Sequence, residues 1–268
     1  MHSTVNIDFR SLVSEYRNTA DHNDEVYRAM TEATWADKTL AEHRKYIEAN
    51  RLGFGDPAFH FMWRMILNEV ATRFTEVRVL EIGVYKGQVI SLWALVSRLD
   101  AIKLNVEAVT PLEGQPNKIR GLRQRLRYLI DAKFREDLRN GNFYEADDYS
   151  SLIDGLFRHF DLDLSKVSLH RGYSTDPGII ADLGSRQFQL IYVDGDHSYE
   201  GALHDFKTFG PMITKGGFLV ADDAGCALPG TSFWKGHEAV SRAAEILPSL
   251  GFVNILNVGH NRIYERAV

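Results

Sequence analysis

Two short apolar runs, residues 190–193 and 218–221, each stop at acidic residues and constrain the fold more than any other feature. Continuous apolar runs of this length are typical of strands that are buried on both faces, as in a parallel sheet. Five titratable residues follow them directly: Asp194, Asp196 and His197 after the first run, and Asp222 and Asp223 after the second.

The segment between these runs predicts a strand–helix–strand unit. Ser198 is a good N-cap for a helix over residues 199–209, and Pro211 with Gly216 and Gly217 ends it. A right-handed crossover puts the ends of both strands on one edge of the sheet, about 4.8 Å apart if they are neighbours. Carboxylates that converge there repel one another and raise each other's pKa unless a cation lies among them. Oxygen ligands of this kind suit Mg²⁺ or Ca²⁺ better than Zn²⁺.

Composition narrows the class of protein. The chain has 268 residues, is 44% hydrophobic and 25% charged, and carries a net charge of −5. These values fit an ordinary globular protein and give no reason to expect nucleic-acid or membrane binding. The lone Cys226 fits a reducing, cytoplasmic compartment and is predicted to be a small buried residue. The first residues do not resemble a signal peptide, and no apolar run is long enough to span a bilayer.

The first part of the chain is predicted to be helical. Residues 1–55 form an N-terminal helical extension in this interpretation, with a polar helix over residues 36–50. Asp56 and Pro57 then open a stronger helix with a broad apolar, partly aromatic face. We expect this face to pack in the core or over an edge of the sheet, with a role as the floor of a substrate site as the alternative.

A glycine-containing turn follows the first predicted strand, residues 77–82. It has the pattern Glu81-x-Gly83-x-x-x-Gly87, and residues 88–97 have helical apolar spacing. Glycines at such a turn permit positive φ and let a ligand approach the backbone, while the helix N-terminus favours negative groups. Taken alone the signal is weak, because a glycine at a strand end is often only a turn. The spacing of these glycines differs from Gly-x-Gly-x-x-Gly, the pattern that marks dinucleotide-binding folds.

The remaining segments complete an alternating pattern of strands and helices. A second strand, residues 104–109, ends at Thr110, and Glu113 is the nearest acid beyond it. Residues 115–148 are basic and amphipathic, which predicts either a solvated helix packed on the domain or a lid or oligomer contact. Ser174 follows a third strand and either contacts an adenine edge or caps a helix. A loop over residues 226–235 could cover the site, and an antiparallel hairpin closes the chain.

Together these motifs resemble the class I S-adenosylmethionine (SAM)-dependent methyltransferases, and within them the macrocin-type O-methyltransferases of sugars and small molecules. The resemblance covers residues 56–268, the predicted methyltransferase domain, and is weak for residues 1–55 and for the helical insert 115–148. It implies an α/β, Rossmann-like sheet of seven mostly parallel strands in the order 3-2-1-4-5-7-6. The last strand is antiparallel, and helices cover both faces.

The resemblance also implies roles for individual residues. It places SAM against eight residues: Glu81, Gly83, Tyr85, Gly87, Thr110, Glu113, Ser174 and Asp194. It assigns Mg²⁺, or another divalent cation, to Asp194, Asp222 and Asp223, and the removal of a proton to Asp196 or His197. The implied acceptor is a sugar or other polyhydroxylated small molecule in natural-product biosynthesis, and a homo-oligomer is possible.

Other interpretations remain open at this point. Any one of the acids could simply cap a helix or face solvent, although five titratable groups at two neighbouring strand ends favour a site. A methyltransferase that needs no metal would use His197 as its base. A SAM-binding subunit without turnover and a carboxylate–metal hydrolase are further alternatives, and the hydrolase would leave the glycine turn without a role.

Overall fold

A computed structural model describes residues 7–112, 122–132, 134–135 and 147–267. Its strands are β1 (Val77–Ile82), β2 (Leu104–Thr110), β3 (Val167–Arg171), β4 (Phe188–Val193), β5 (Ile213–Ala221), β6 (Phe252–Val258) and β7 (Asn261–Arg266). They form a single mixed sheet in the order β3-β2-β1-β4-β5-β7-β6. Strands β1 to β5 pair in parallel, and β7 pairs antiparallel with both β5 and β6. The predicted fold class is therefore confirmed.

Helices surround the sheet on both faces. In the described part of the chain they are α1 (Phe9–Glu15), α2 (Ala20–Ala36), α3 (Lys38–Asn50), α4 (Ala58–Arg73), α5 (Gln88–Leu99), α6 (Leu122–Ile130), α7 (Tyr149–His159), α8 (Pro177–Leu183), α9 (Tyr199–Phe209) and α10 (Glu238–Ala243). Short 3₁₀ helices cover Leu164–Lys166, Gly210–Met212 and Ala244–Leu250. As the sequence predicted, Ser198 caps α9, accepting a hydrogen bond from the Gly201 N–H at 3.0 Å.

The parallel register aligns the carboxyl ends of the central strands. Ile82 of β1 lies opposite Val193 of β4, and Val193 lies opposite Ala221 of β5. The residues that follow continue this row, since the Asp194 N–H donates to the Ile82 carbonyl at 2.9 Å. The Asp222 N–H donates to the Val193 carbonyl at 3.1 Å. The glycine turn and both acidic strand ends consequently meet at one edge.

Two apolar layers hold the sheet. On one face, the N-terminal helices, α4 and α5 cover the strands, and Trp63 packs edge-on against Trp93 and Tyr192, with ring centroids 5.1 and 4.9 Å apart. On the other face, α8, α9 and α10 bury a second cluster that includes Phe206. Each fully buried side chain of this size contributes roughly 1.5–3 kcal/mol. The aromatic face of α4 thus packs in the core, as expected, and two of its side chains, Phe59 and Trp63, also line a cavity.

One boundary among the N-terminal helices differs from the prediction. Helices α1, α2 and α3 lie within the stretch 1–55 that the sequence predicts to be helical, but the predicted helix over residues 36–50 begins too early, because Asp37 separates α2 from α3. Its carboxylate accepts hydrogen bonds from the Thr39 and Leu40 N–H groups, both at 2.9 Å. A side chain that satisfies two free N–H groups fixes the start of α3 at Lys38.

Two further predictions concern the loops. Cys226 is exposed, so the prediction that it is buried is wrong. The insert 115–148 lies largely outside the described residues; within it, α6 is a helix whose apolar side chains Leu122, Leu129 and Ile130 are 73%, 70% and 82% exposed. Its role as a lid or oligomer contact stays a prediction. Among the helices that the structure describes, none combines the length and apolarity needed to cross a bilayer.

Candidate active site

A cavity of about 610 Å³ opens at the carboxyl edge of β1, β4 and β5. Its walls come from the glycine turn after β1, the acidic loops after β4 and β5, the aromatic face of α4, and the turn between β6 and β7. A site at the carboxyl ends of parallel strands, where the strand order reverses between β1 and β4, is the usual ligand position in open α/β sheets. The volume is in the range of small-molecule sites.

The glycine turn adopts the positive-φ backbone that the sequence predicted. Gly83 and Gly87 have φ angles of +96° and +90°. A Cβ atom on Gly83 would lie 1.9 Å from the Asp194 carbonyl oxygen, so the β1 and β4 loops approach each other at backbone distance. Gly87 is the N-cap of α5, and Gln88 and Val89 in the first turn of this helix line the cavity. Tyr85 lines the cavity between Phe54 and Tyr149, 5.3 Å from each ring.

Glu81 presents a buried carboxyl group to the same space. It is 3% exposed, and its Oε2 atom has no hydrogen-bond partner among the described residues. Burial, reinforced by the neighbouring Asp194 charge, raises the pKa of Glu81 well above its usual range. A buried carboxyl oxygen without a hydrogen bond on the wall of a cavity is costly unless a ligand supplies the missing donor.

The predicted ribose and adenine residues lie on the opposite side of the glycine turn. Thr110 and Ser174 line the cavity. The Thr110 hydroxyl accepts a hydrogen bond from the Leu112 N–H at 3.1 Å, and the Ser174 side chain lies near the buried Asp205 carboxyl group. Glu113 lies outside the described residues, so its predicted contact with ribose stays a prediction.

The structure brings together the three carboxylates predicted as cation ligands. His197 links them: its Nε2 atom lies 3.3 Å from Asp194 Oδ1 and 3.5 Å from Asp223 Oδ2. Asp222 lies beside both as the next residue after β5, and its Oδ1 atom is buried with no hydrogen-bond partner among the described residues. Acids from two strand ends therefore converge on one volume, as the strand–helix–strand argument predicted.

Two histidines that the sequence reasoning did not assign complete this cluster. His237 Nε2 lies 3.6 Å from Asp223 Oδ2, and its ring stacks on His197 with centroids 4.8 Å apart. His260, in the β6–β7 turn, places Nε2 3.4 Å from Asp222 Oδ1 and 3.5 Å from Asp223 Oδ1. The sequence contained a signal for His260, since the predicted order puts the closing hairpin beside β5 and its turn beside Asp222.

Burial and, after it, charge repulsion set the electrostatics of the cluster. Burial, with the Asp222 and Asp223 charges added, raises the pKa of Asp194 well above its usual range. Burial and Asp222 raise the pKa of Asp223 to about 7. Burial acts in the same direction on Asp222, but the charge and hydrogen bonding of His260, together with Asp194 and His197, outweigh it and leave the pKa of Asp222 below its usual range. The cluster thus favours bound protons or another source of positive charge.

Asp196 takes a different position from its neighbours. It lines the cavity, but it is exposed and its Oδ1 atom accepts a hydrogen bond from the Ser198 N–H at 2.9 Å. A carboxylate bonded to the start of α9 is a local turn element as well as a candidate base. The structure therefore places His197, and not Asp196, in contact with the other acids.

Comparison with known families identifies the chain at this point. Residues 80–224, more than half of the sequence, match the family described as a methyltransferase domain. The chain belongs to this methyltransferase family. The match begins in β1 and ends just after Asp223, so it contains the glycine turn and both acidic strand ends.

Solved structures share the fold of this methyltransferase at low sequence identity. The O-methyltransferase NovP is 16% identical, with a TM-score of 0.52 over 78% of this chain and 79% of NovP. The O-methyltransferase TomG from Streptomyces achromogenes, solved with SAM, is 12% identical, with a TM-score of 0.51 over 91% of this chain and 99% of TomG. A Bacillus cereus O-methyltransferase, solved with S-adenosylhomocysteine, is 12% identical, with a TM-score of 0.53 over the same shares of the two chains.

One curated relative is similar over a shorter stretch. An uncharacterized protein of Acanthamoeba polyphaga mimivirus is 33% identical over 66 residues, which are 24% of this chain. The match spans about 30% of the length of that relative.

Proposed function

We propose that this methyltransferase transfers the methyl group of SAM to a hydroxyl group of a sugar or other polyhydroxylated small molecule, within natural-product biosynthesis, assisted by a divalent cation. One observation carries the proposal: the Gly83 turn and the carboxylate–histidine cluster line the same cavity. A donor on the turn and an acceptor at the cluster would then lie side by side. The O-methyltransferase structures that share the fold support the same reaction class.

The cofactor assignment follows from the groups around the turn. The methionine end of SAM would lie on the Gly83–Gly87 backbone, where free N–H groups of α5 favour its carboxylate. The Glu81 Oε2 atom, which has no hydrogen-bond partner among the described residues, would accept a hydrogen bond from the ammonium group. Thr110 would face the ribose and Ser174 the adenine ring, because both line the cavity beyond the turn. Solved neighbours that contain SAM or S-adenosylhomocysteine support this cofactor.

The residues of the cluster fit a divalent cation. Asp194, Asp222 and Asp223 would hold it, and the buried Asp222 Oδ1 atom, unpartnered among the described residues, is the observation that favours a ligand there. Burial and, after it, repulsion between the neighbouring carboxylates raise the pKa values of Asp194 and Asp223, and a bound cation would relieve this repulsion. A bound cation would lower the pKa of an acceptor hydroxyl beside it.

The chain's own groups would then move the proton and align the reactants. His197, fixed between Asp194 and Asp223, would accept the hydroxyl proton on an imidazole nitrogen. The oxygen would displace the sulfonium in line, so an O–C bond forms as the C–S bond breaks and S-adenosylhomocysteine leaves as a neutral thioether. The walls from Trp63 and Tyr192 would exclude water from the reacting oxygen.

The test is transfer of labelled methyl from SAM to a panel of sugars, other vicinal diols and catechols, read by scintillation and by product mass. We expect transfer to acceptors with adjacent hydroxyls, and loss of at least about 100-fold in Asp222→Asn. Asp154→Asn, an exposed carboxylate on α7, is the matched control and should keep full activity. Binding of SAM without any product across the panel would instead indicate a subunit without turnover.

A metal-free mechanism is the second candidate, and one observation favours it. The imidazoles of His197 and His260 already lie against the carboxylates and could supply the positive charge themselves. In that case His197 is the base. Methyl transfer then survives exhaustive dialysis against EDTA, but it is lost in the His197→Gln variant. Transfer that stops with EDTA and returns with added metal would exclude this mechanism.

A further inference from the structure

Three imidazole nitrogens point at the same pair of carboxylates. His197 and His237 reach Asp223 Oδ2 from one side, at 3.5 and 3.6 Å. His260 reaches Asp223 Oδ1 from the other side, at 3.5 Å, and Asp222 Oδ1 at 3.4 Å. The ligand atoms of His197, Asp223 and His237 lie within 4.8 Å of one another, and so do those of Asp222, Asp223 and His260.

Hydrogen-bonded ion pairs between these histidines and the carboxylates do not account well for the observed distances. A charge-assisted N–H···O bond between an imidazolium and a carboxylate is about 2.7–2.9 Å long. The contacts of His237 and His260 are longer than that range, and Asp222 Oδ1 has no hydrogen bond within the described part of the chain despite its contact with His260. Two ligand atoms that each lie about 2.1 Å from the same cation are about 3.0 Å apart when the ligand–cation–ligand angle is a right angle. They are about 3.4 Å apart when that angle is tetrahedral. The observed spacings are close to the second value.

The rings are also held in place from behind. Trp234 packs edge-on against His237 and His260, with centroids 5.3 and 5.1 Å away, and Phe59 packs edge-on against His260 at 4.7 Å. His260 is 3% exposed, so its orientation is fixed by the core. Two histidines from different loops are thus oriented toward one acid by aromatic neighbours.

We infer that His237 and His260 are nitrogen ligands of the cation at Asp223, and that the site therefore selects a transition-metal ion such as Mn²⁺, Fe²⁺, Co²⁺ or Zn²⁺ over Mg²⁺. The inference rests on the cation of the proposed function but replaces an all-oxygen site with a mixed one. Imidazole suits transition metals, whereas Mg²⁺ prefers oxygen ligands and keeps several waters. His197 and His237 are partly exposed, so the cation would remain accessible from the cavity on their side.

Calorimetric titration of the metal-stripped full-length chain with Mn²⁺ and with Mg²⁺ tests the selectivity. We expect Mn²⁺ to bind at least about 10-fold more tightly than Mg²⁺, and His237→Gln or His260→Gln to weaken Mn²⁺ by about 10–100-fold. The control His159→Gln, an exposed ring stacked on Tyr46, should bind Mn²⁺ as the parent chain does. Equal binding of Mg²⁺ and Mn²⁺, or no binding of either, would overturn the inference.

Pulsed electron paramagnetic resonance of the Mn²⁺-loaded parent chain tests the ligands without any variant. Coupling to imidazole ¹⁴N is expected, and its absence in a loaded sample means that the site is built from oxygen alone. The labelled-SAM assay on the same samples separates the two proposals. If Mg²⁺ supports methyl transfer and the Mn²⁺-loaded chain shows no ¹⁴N coupling, this inference is rejected and the proposed function is kept. If ¹⁴N coupling is present but no metal supports transfer, the inference is kept and the proposed function is rejected.

Discussion

Asp205 is a carboxyl group that the fold buries beside the cofactor side of the cavity. It is 1% exposed, and its Oδ2 atom lies 3.0 Å from where a Cβ atom on Gly195 would be. Burial raises the pKa of Asp205 to about 6, although the nearby Ser174 side chain acts in the opposite direction. The folded protein therefore holds a proton here at pH values where the unfolded chain has released it.

This linkage predicts a pH-dependent stability. The contribution of Asp205 to the free energy of unfolding is fully present below about pH 4 and is lost as the pH rises to about 6, which amounts to about 3 kcal/mol. Asp205→Asn stays neutral, so its stability relative to the parent chain should rise between pH 4 and 6 and then level off. Urea unfolding from pH 4 to 8 measures this, with Asp154→Asn as the exposed control; a difference that does not vary with pH contradicts the prediction.

Gly83 is constrained by its backbone conformation. Its φ is +96°, and a Cβ atom at this position would come within 1.9 Å of the Asp194 carbonyl oxygen, which leaves no room for a side chain. Gly83→Ala should therefore destabilise the protein by about 3 kcal/mol or more and abolish binding of S-adenosylhomocysteine.

Gly155 supplies the matched control for this substitution. It lies within α7, and a Cβ atom there would meet nothing within 4 Å. Gly155→Ala should leave binding unchanged and raise the free energy of unfolding by up to about 1 kcal/mol, since alanine is the better helix former. Thermal unfolding and calorimetry compare the two variants. Normal binding by Gly83→Ala would show that the turn does not hold the cofactor.

At the scale of elements, α2 holds the loop that carries Trp234 over the site. The Asp24 carboxylate accepts hydrogen bonds from the Thr231 N–H at 2.8 Å, the Thr231 hydroxyl at 3.0 Å and the Ser232 N–H at 2.9 Å. The neighbouring Asn23 side chain donates to the Pro229 carbonyl at 2.8 Å. An N-terminal helix thus fixes a wall of the cavity near His237.

Loss of this anchor should loosen the loop without disturbing the cofactor. In Asp24→Ala we expect the KM for the acceptor to rise about 10-fold, the affinity for S-adenosylhomocysteine to stay the same, and trypsin to cut after Lys235 faster. Asp21→Ala, an exposed acid on the same helix, is the control. An unchanged rate of cleavage in Asp24→Ala would mean that the loop is held by other contacts.

The elements of the fold also show which parts of the site could be predicted from the sequence. The acids after β4 and β5 were predictable because buried strands are continuous apolar runs whose ends are visible. The position of His260 depends on β7 pairing antiparallel with β5, and that of His237 on a loop crossing back to Asp223, where the His237 N–H donates to the Asp223 carbonyl at 2.9 Å. The predicted strand order was a signal for His260, but neither contact between distant segments leaves a periodic pattern in the sequence. The bounds of α2, within the predicted helical stretch 1–55, were likewise not predicted, because its mixed composition gives no clear apolar face.

At the scale of the molecule, the N-terminal helices share the main core. Phe9 packs on Phe218 of β5 with ring centroids 5.5 Å apart, and Met30 and Leu40 are 1% and 0% exposed in the cluster that contains Trp63. The residues predicted as an extension of the methyltransferase domain therefore cover one face of its sheet.

A chain that begins at residue 56 would expose that face to water. The loss of Phe9, Val26, Met30 and Leu40 from the core costs roughly 6–12 kcal/mol, which is comparable to the whole stability of a typical domain. We expect this truncated chain to lack a cooperative thermal transition and to bind the dye ANS. A cooperative transition that S-adenosylhomocysteine shifts upward would show the reverse, namely that residues 56–268 fold and bind the cofactor alone and that the N-terminal helices serve only the acceptor loop.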